Sequence, residues 1–142
     1  MRMIIAAALF AASPVFAQSM STEGAGTYIV SPADGATVSS PVTVVFGLAG
    51  MGVAPAGTEK DGTGHHHLLI DRPPFGLGEF GAEEFELALP ADDNHKHFGG
   101  GQTQATLDLT PGTHTLQLVL GDAGHVPHDP PVMSDVITIT VE

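Results

Sequence analysis

The chain has 142 residues, no cysteine, four basic and sixteen acidic residues, and a formal net charge of −12 at pH 7. This balance argues against nucleic acid and anionic lipid as partners, because both carry negative charge. The absence of cysteine excludes a disulfide scaffold, a thiol nucleophile and a lipoprotein anchor, so a packed core or a bound ligand must stabilise the fold.

The first 17 residues have the three parts of a secretory signal peptide. Residues 1–3 form a short segment that contains the basic Arg2, and residues 4–12 are apolar but too few to span a bilayer. Val15-Phe16-Ala17 fits the recognition site of a signal peptidase. We predict cleavage after Ala17, which removes Arg2 and leaves three basic against sixteen acidic residues. No later segment is apolar enough for membrane insertion, so the mature protein is expected in the periplasm or secreted.

The rest of the chain is predicted to be a short flexible N-terminus, residues 18–26, followed by one domain over residues 27–142. Apolar residues alternate with polar or small ones in short runs between Gly- and Pro-rich turns, which is typical of strands. The runs predict seven strands, named A to G: residues 27–30, 42–48, 66–70, 84–89, 105–109, 116–120 and 137–141. Seven short strands in about a hundred residues favour an all-β fold, an immunoglobulin-like sandwich of about seven antiparallel strands.

Eight histidines in a chain with four basic residues are the most informative feature of the sequence. In an antiparallel sandwich the B–C, D–E and F–G loops emerge at the same end, and seven of the histidines lie in or beside these loops. Clustered imidazoles suit first-row transition metals such as copper and zinc. The predicted metal ligands are therefore His65, His66, His67, His95, His97, His125 and His128. The prediction depends on strand D, because without it the His95/His97 loop moves to the opposite end.

Strand alternation separates the members of the first cluster. With Leu68 and Ile70 facing the core, His66 enters the core edge while His65 and His67 face the other side. Each cluster also has an ordinary interpretation, as exposed or hydrogen-bonded histidines that hold no metal. His114 lies at the other end of strand F and is expected to be structural.

The same end of the sandwich is predicted to carry carboxylates and thioethers that extend the choice of metal. These residues are Asp61, Asp92, Asp93, Asp122, Asp129, Met51 and Met133. Histidine with carboxylate favours Cu(II) or Zn(II), and the two methionines leave Cu(I) open because thioether sulfur is a soft ligand.

Four motifs in order carry a family resemblance: residues 50–57, 64–71, 97–103 and 116–122, with the runs GMGVAPAG, GHHHLLID, HFGGGQT and LQLVLGD. Over residues 46–141 the chain resembles the bacterial family called domain of unknown function 4399, DUF4399. The resemblance implies a small exported protein of Gram-negative bacteria with these histidine-bearing motifs as its hallmark. Residues 75–89 are longer and more acidic than the family's usual linker.

Three functions remain open from the sequence. The first is a non-catalytic protein that binds copper or zinc as buffer, carrier or delivery factor. The second is an adaptor that binds an envelope protein or polymer through the same loops. The third is a metalloenzyme similar to copper-zinc superoxide dismutase, also a β-sandwich with His-x-His pairs, but that family's cysteines and ligand order are absent here.

Overall fold

The computed structural model describes residues 17–142, so the predicted signal peptide, except Ala17, lies outside the described residues. Residues 17–142 form nine strands and one short 3-10 helix, η1. Their bounds are β1 Gly26–Ser31, β2 Thr37–Val38, β3 Val42–Ala49, β4 Gly52–Val53, β5 Thr63–Ile70, η1 Gly81–Phe85, β6 His95–His97, β7 Gln104–Leu107, β8 Gly112–Gly121 and β9 Ile137–Val141. None of the helices in residues 17–142 has the length and apolar character needed to cross a membrane.

The strands make two sheets that pack as a β-sandwich, as the sequence predicts. One sheet has the order β1-β3-β7, and the other has the order β2-β9-β8-β5-β4, with β6 paired to β5. In the sequence-based labels this places A, B and E opposite C, F and G, the division found in immunoglobulin sandwiches. The main pairings are antiparallel, while the two-residue strands β2 and β4 pair in parallel with β9 and β5.

The core lies between the two sheets and consists of the inward side chains of the alternating strands. Val44 and Phe46 of β3 face Leu68 of β5, Leu118 of β8 and Ile139 of β9, and all five are buried. Each such aliphatic or aromatic side chain contributes roughly 1.5–3 kcal/mol when it is buried. The alternation that predicted strands B, C, F and G therefore also identifies their core-facing sides.

Predicted strand D is wrong. Residues 81–85 form η1 and residues 86–89 continue without strand structure, although Phe85, Leu87 and Leu89 alternate in sequence. We call residues 71–92, which contain η1, the cover segment. Leu89 and Phe75 pack with Leu69 and Val119 in a second buried cluster, outside the sandwich, whereas Leu87 is half exposed.

The second cluster means that β5 is covered on both faces. Its inner face meets the three-stranded sheet, and its outer face meets the cover segment at Leu69. All residues from Gly64 to Ile70 are consequently buried, the histidines included. A strand enclosed on both sides places the outward-facing His65 and His67 in the interior as well.

Candidate metal centre

Two outward-facing residues of β5 begin the site. His65 and His67 lie on the same face of the strand, opposite Gly121 and Val119 of β8. Both side chains are fully buried, and their Nε2 atoms are 3.1 Å apart. Because side chains alternate along β5, two imidazole nitrogens lie next to each other on the outer face of the larger sheet.

The third histidine comes from β6, which pairs antiparallel with β5. His97 lies directly opposite His67, and directly opposed residues share a face with their Cβ atoms about 5 Å apart. The His97 ring centroid is 5.1 Å from those of His65 and His67. Unlike the two β5 histidines, His97 is exposed, so it forms the side of the site that solvent can reach.

The fourth histidine lies in a tight turn after β8. His125 donates its backbone N–H to the carbonyl of Asp122 and has a φ of 67°, which is uncommon for a residue other than glycine. Its Nδ1 is 3.1 Å from Nε2 of His65, and its ring centroid is 4.6 Å from that of His97. The backbone conformation costs roughly 1–3 kcal/mol, a strain that is typical of functional positions.

Together these residues form a group that we call the histidine tetrad: His65, His67, His97 and His125. One ring nitrogen from each lies within 4.8 Å of the other three. Four nitrogens bonded at 2.0–2.1 Å to a tetrahedral zinc ion would lie about 3.4 Å from one another. Nε2 of His65 already lies 3.1 Å from Nε2 of His67 and from Nδ1 of His125, so one ion would fit with small ring movements. The tetrad could therefore hold a metal ion.

The hydrogen bonding of the tetrad is incomplete within residues 17–142. The Nδ1 atoms of His65 and His67 are buried without a protein partner, while their Nε2 atoms face other ring nitrogens. A buried polar atom without a partner costs about 1–3 kcal/mol. Converging ring nitrogens are a poor hydrogen-bonding arrangement but a good set of metal ligands.

Burial keeps the imidazoles neutral. It lowers the pKa of His65 to about 4, with a further lowering by the nearby His125 and His97. It lowers the pKa of His67 to about 2, with a further lowering by His95 and the tetrad neighbours. Burial and His125 also lower the pKa of His97. Neutral imidazole is the form that binds a metal, so these three ligands are available at neutral pH.

His95 lies beside the tetrad but is held by a cation. A guanidinium N–H of Arg72 donates to its Nδ1 at 3.0 Å, and because that nitrogen accepts, the proton of the neutral ring lies on Nε2. Burial and then Arg72 lower the pKa of His95 to about 4. Arg72 also contacts Glu84, whose carboxylate accepts a hydrogen bond from the Gly76 N–H. This arrangement excludes His95 as an ordinary neutral ligand.

The structure does not bring the remaining predicted ligands into the tetrad. His66 faces the inner side of β5, buried with its ring centroid 5.2 Å from that of Phe46, and burial lowers its pKa. Residues 122–129, which follow β8, form what we call the His125 hairpin. His128 is buried and donates from Nε2 to the carbonyl of Thr63 at 3.1 Å, which joins this hairpin to β5. His114 bonds to Asp71 at 2.7 Å, as expected of a structural histidine.

The predicted carboxylates and thioethers also lie outside the tetrad. Asp122 accepts from backbone N–H groups of its own turn, and Asp93 contacts Lys96. Met133 lines a separate cavity with Tyr28 and Ile137. Neither the contact of Arg72 with His95 nor the hydrogen bonds of Asp122 could be predicted from the sequence, because contacts of individual side chains leave no periodic signal.

Comparison with known families gives one match. The model of the family described as domain of unknown function, DUF4399, matches residues 44–142. The matched region contains all four tetrad histidines. Neither a curated protein nor a solved structure matches the chain.

Proposed function

The chain belongs to the DUF4399 family, and we propose that it is an exported, non-catalytic protein that binds one transition-metal ion, copper or zinc, in the histidine tetrad. The observation that carries the proposal is the convergence of four imidazole nitrogens, contributed by β5, β6 and the turn after β8. Sheet pairing brings the three segments together, but it does not require an imidazole at each of the four positions. A shared metal ion would explain the arrangement, and its bonds to the ring nitrogens would offset the free-energy cost of burying the imidazoles.

The ligand chemistry narrows the choice of ion. Imidazole nitrogen suits zinc, copper and nickel, and divalent affinities in such sites generally rise to Cu(II) and fall at Zn(II). The tetrad has neither thiolate nor carboxylate, so it does not favour calcium or magnesium, which take oxygen ligands. Copper(II) is the ion we expect to bind most tightly, with Zn(II) next.

The ligand count supports a binding role over a catalytic one. Four protein ligands complete a tetrahedral site, whereas catalytic zinc keeps a position open for water or substrate. The nearby carboxylate of Asp122 accepts hydrogen bonds from Gly124 and Val126 and is not free to act as a base. The exposed His97 gives an ion a route to and from solvent, which fits a buffer, carrier or delivery factor.

The test is a metal titration of untagged residues 18–142 after removal of metal by a chelator. We expect one Cu(II) or Zn(II) per chain, and a gain of about 2.7 kcal/mol in the free energy of unfolding when free metal is 100 times Kd. The melting temperature should rise accordingly. Cu(I) is titrated in parallel.

Two variants and one control locate the ion. His65→Ala/His67→Ala should abolish stoichiometric binding, and His97→Ala should weaken it strongly at little cost in stability, because His97 is exposed. His114→Ala removes a histidine outside the tetrad and should bind as the unchanged protein does. Weak binding that is equal in all four proteins would refute the proposal.

A second candidate function is an adaptor for an envelope protein or polymer. Leu77, Phe80 and Leu87 of the cover segment are exposed by 76%, 56% and 50%. Where exposed apolar side chains form a contiguous patch, the patch can serve as a protein-binding surface. Partner binding of this kind would be unaffected by a chelator and by His97→Ala, whereas a chelator would remove the metal and His97→Ala would strongly weaken its binding.

A further inference from the structure

The described N-terminal residues lie against the hairpin that carries His125. We propose that residues 18–21 are a strap that holds this hairpin in its metal-binding position, and that Asp122 is the positioning residue on which the strap acts. The inference deepens the proposed function and rests on it, because it says what keeps the fourth ligand in place.

The His125 hairpin depends on one carboxylate. Oδ1 of Asp122 accepts hydrogen bonds from the N–H groups of Gly124, at 2.8 Å, and Val126, at 3.0 Å. These residues flank His125, whose φ of 67° places it in a conformation that few side chains adopt without support. Asp122 therefore fixes the backbone on both sides of a metal ligand without touching the ion.

The strap engages the second oxygen of the same carboxylate. The Ser19 hydroxyl donates to Oδ2 of Asp122 at 2.9 Å. Asp122 is buried, being 8% exposed, whereas Ser19 is exposed, so the strap contacts the buried carboxylate from the solvent side. With both oxygens occupied, the Asp122 side chain has a single orientation.

Backbone hydrogen bonds tie the strap to the far end of the same loop. Met20 forms a parallel bridge with Asp129: the Ser21 N–H donates to the Asp129 carbonyl, and the Asp129 N–H donates to the Ser19 carbonyl, both at 3.0 Å. The Gln18 side-chain amide donates to the carbonyls of Pro127 and Phe85. The strap thus contacts the hairpin at three residues, Asp122, Pro127 and Asp129, and the cover segment at Phe85.

These contacts make the geometry of the tetrad depend on residues far from it in sequence. Without the strap, Asp122 loses one partner and Asp129 loses two, and His125 can leave its strained conformation. His65, His67 and His97 do not depend on the strap, since β5 and β6 hold them through sheet pairing. The strap accordingly controls how fast the site releases its ion, more than whether the site forms.

The experiment compares residues 18–142 with three variants: a chain lacking residues 18–21, Asp122→Ala and Asp122→Asn. Ser40→Ala is the matched control, because it removes a serine hydroxyl that accepts from the Leu109 N–H, away from the tetrad. The first readout is the rate at which a chelator removes Cu(II) or Zn(II). The second is hydrogen exchange of the Gly124 and Val126 amides in metal-free protein.

We expect metal release to be about 10–100-fold faster in the strap deletion and in Asp122→Ala, as is usual for loss of an outer partner of a ligand. Asp122→Asn keeps one acceptor oxygen and should restore part of the slow release, and Ser40→Ala should match the unchanged chain. Amide exchange at Gly124 and Val126 should accelerate in the deletion while β8 stays protected.

Failure of this inference can be told apart from failure of the proposed function. If the unchanged chain binds no metal, the proposed function is refuted, and amide exchange still decides whether the strap holds the hairpin. Unchanged exchange and unchanged release in the deletion would overturn the strap.

Discussion

Gly99 lies against the imidazole of His97, a member of the histidine tetrad. A Cβ atom at this position would lie 2.4 and 2.5 Å from Cε1 and Nε2 of His97, closer than atoms approach without movement. The same atom at Gly100 would meet only the flexible end of Gln102, at 3.1 Å. Gly99 of the HFGGGQT motif therefore leaves room for the His97 ring, which a larger residue would displace.

We predict that Gly99→Ala displaces the exposed His97 ring and weakens metal binding by about 10-fold or more, with a small loss of stability. Gly100→Ala is the matched control and should retain the affinity. Isothermal titration with Zn(II) and thermal melting of the metal-free proteins measure both effects. Equal affinities in the two variants would show that His97 does not ligate the ion.

His114 provides a prediction on pH that is independent of the metal. Its hydrogen bond to Asp71, then its bond to the Thr110 carbonyl, raise the pKa of the imidazole above the usual 6.5. A raised pKa in the folded protein stabilises fully below the unfolded value of about 6.5, and the stabilisation is lost as pH rises through the folded pKa.

His114→Ala should therefore lower the free energy of unfolding by about 1 kcal/mol at pH 5, a modest figure because Asp71 is partly exposed. The difference between the two proteins should shrink at pH 9. Urea denaturation at both pH values measures it. A difference that grows with pH would contradict the assignment of a charged His114.

For single residues, strand alternation predicts the direction in which a side chain points but not its hydrogen-bond partners. The pattern of β5 correctly separates His66 from His65 and His67, because each strand residue points opposite to its neighbours. It cannot predict that Arg72 holds His95 or that His128 bonds to Thr63, since those contacts join side chains and backbone from different elements.

Among the elements, the cover segment decides whether the site is buried. Leu89 packs in the outer cluster and its N–H donates to the carbonyl of His125, so it links the cover segment to the hairpin. Leu87, two residues earlier, is half exposed. Phe85 and Leu89 pack in the outer cluster and Leu87 does not, so the alternation of these three residues does not mark a strand.

Leu89→Ala should lower the free energy of unfolding by roughly 2–5 kcal/mol, the usual cost of truncating a buried leucine. Leu87→Ala should change it by less than about 0.5 kcal/mol, as exposed positions do. Chemical denaturation of the two variants checks this, and equal stabilities would show that the cover segment does not pack on the sheet.

The convergence of the histidines has a different cause from the one that the sequence suggested. We predicted from the sequence that strand D brings the His95/His97 loop to the same end of the sandwich as the other histidines. Instead, β6 pairs directly with β5 and places His97 opposite His67 without any strand D. A three-residue strand has too few positions for a periodic signal, so its pairing partner could not be predicted from the pattern.

For the whole molecule, the sequence predicted the architecture better than the site. Six of the seven predicted strands are present, and their division between two sheets follows from long alternating runs in B, F and G. The histidine tetrad could not be predicted from alternation alone. Its four histidines come from three segments, and they meet only because of the strand register and the turn at His125. Of seven predicted ligands, the structure brings four into one tetrad.

We propose above that one ion binds to four imidazoles on the outer face of the larger sheet. The most direct test is X-ray absorption spectroscopy of the Zn(II)- and Cu(II)-loaded protein. We predict nitrogen ligands at about 2.0–2.1 Å around zinc, with the scattering pattern of histidine rings, and fewer ring ligands in His97→Ala. A first shell made of oxygen or sulfur, or one that His97→Ala leaves unchanged, would contradict the claim.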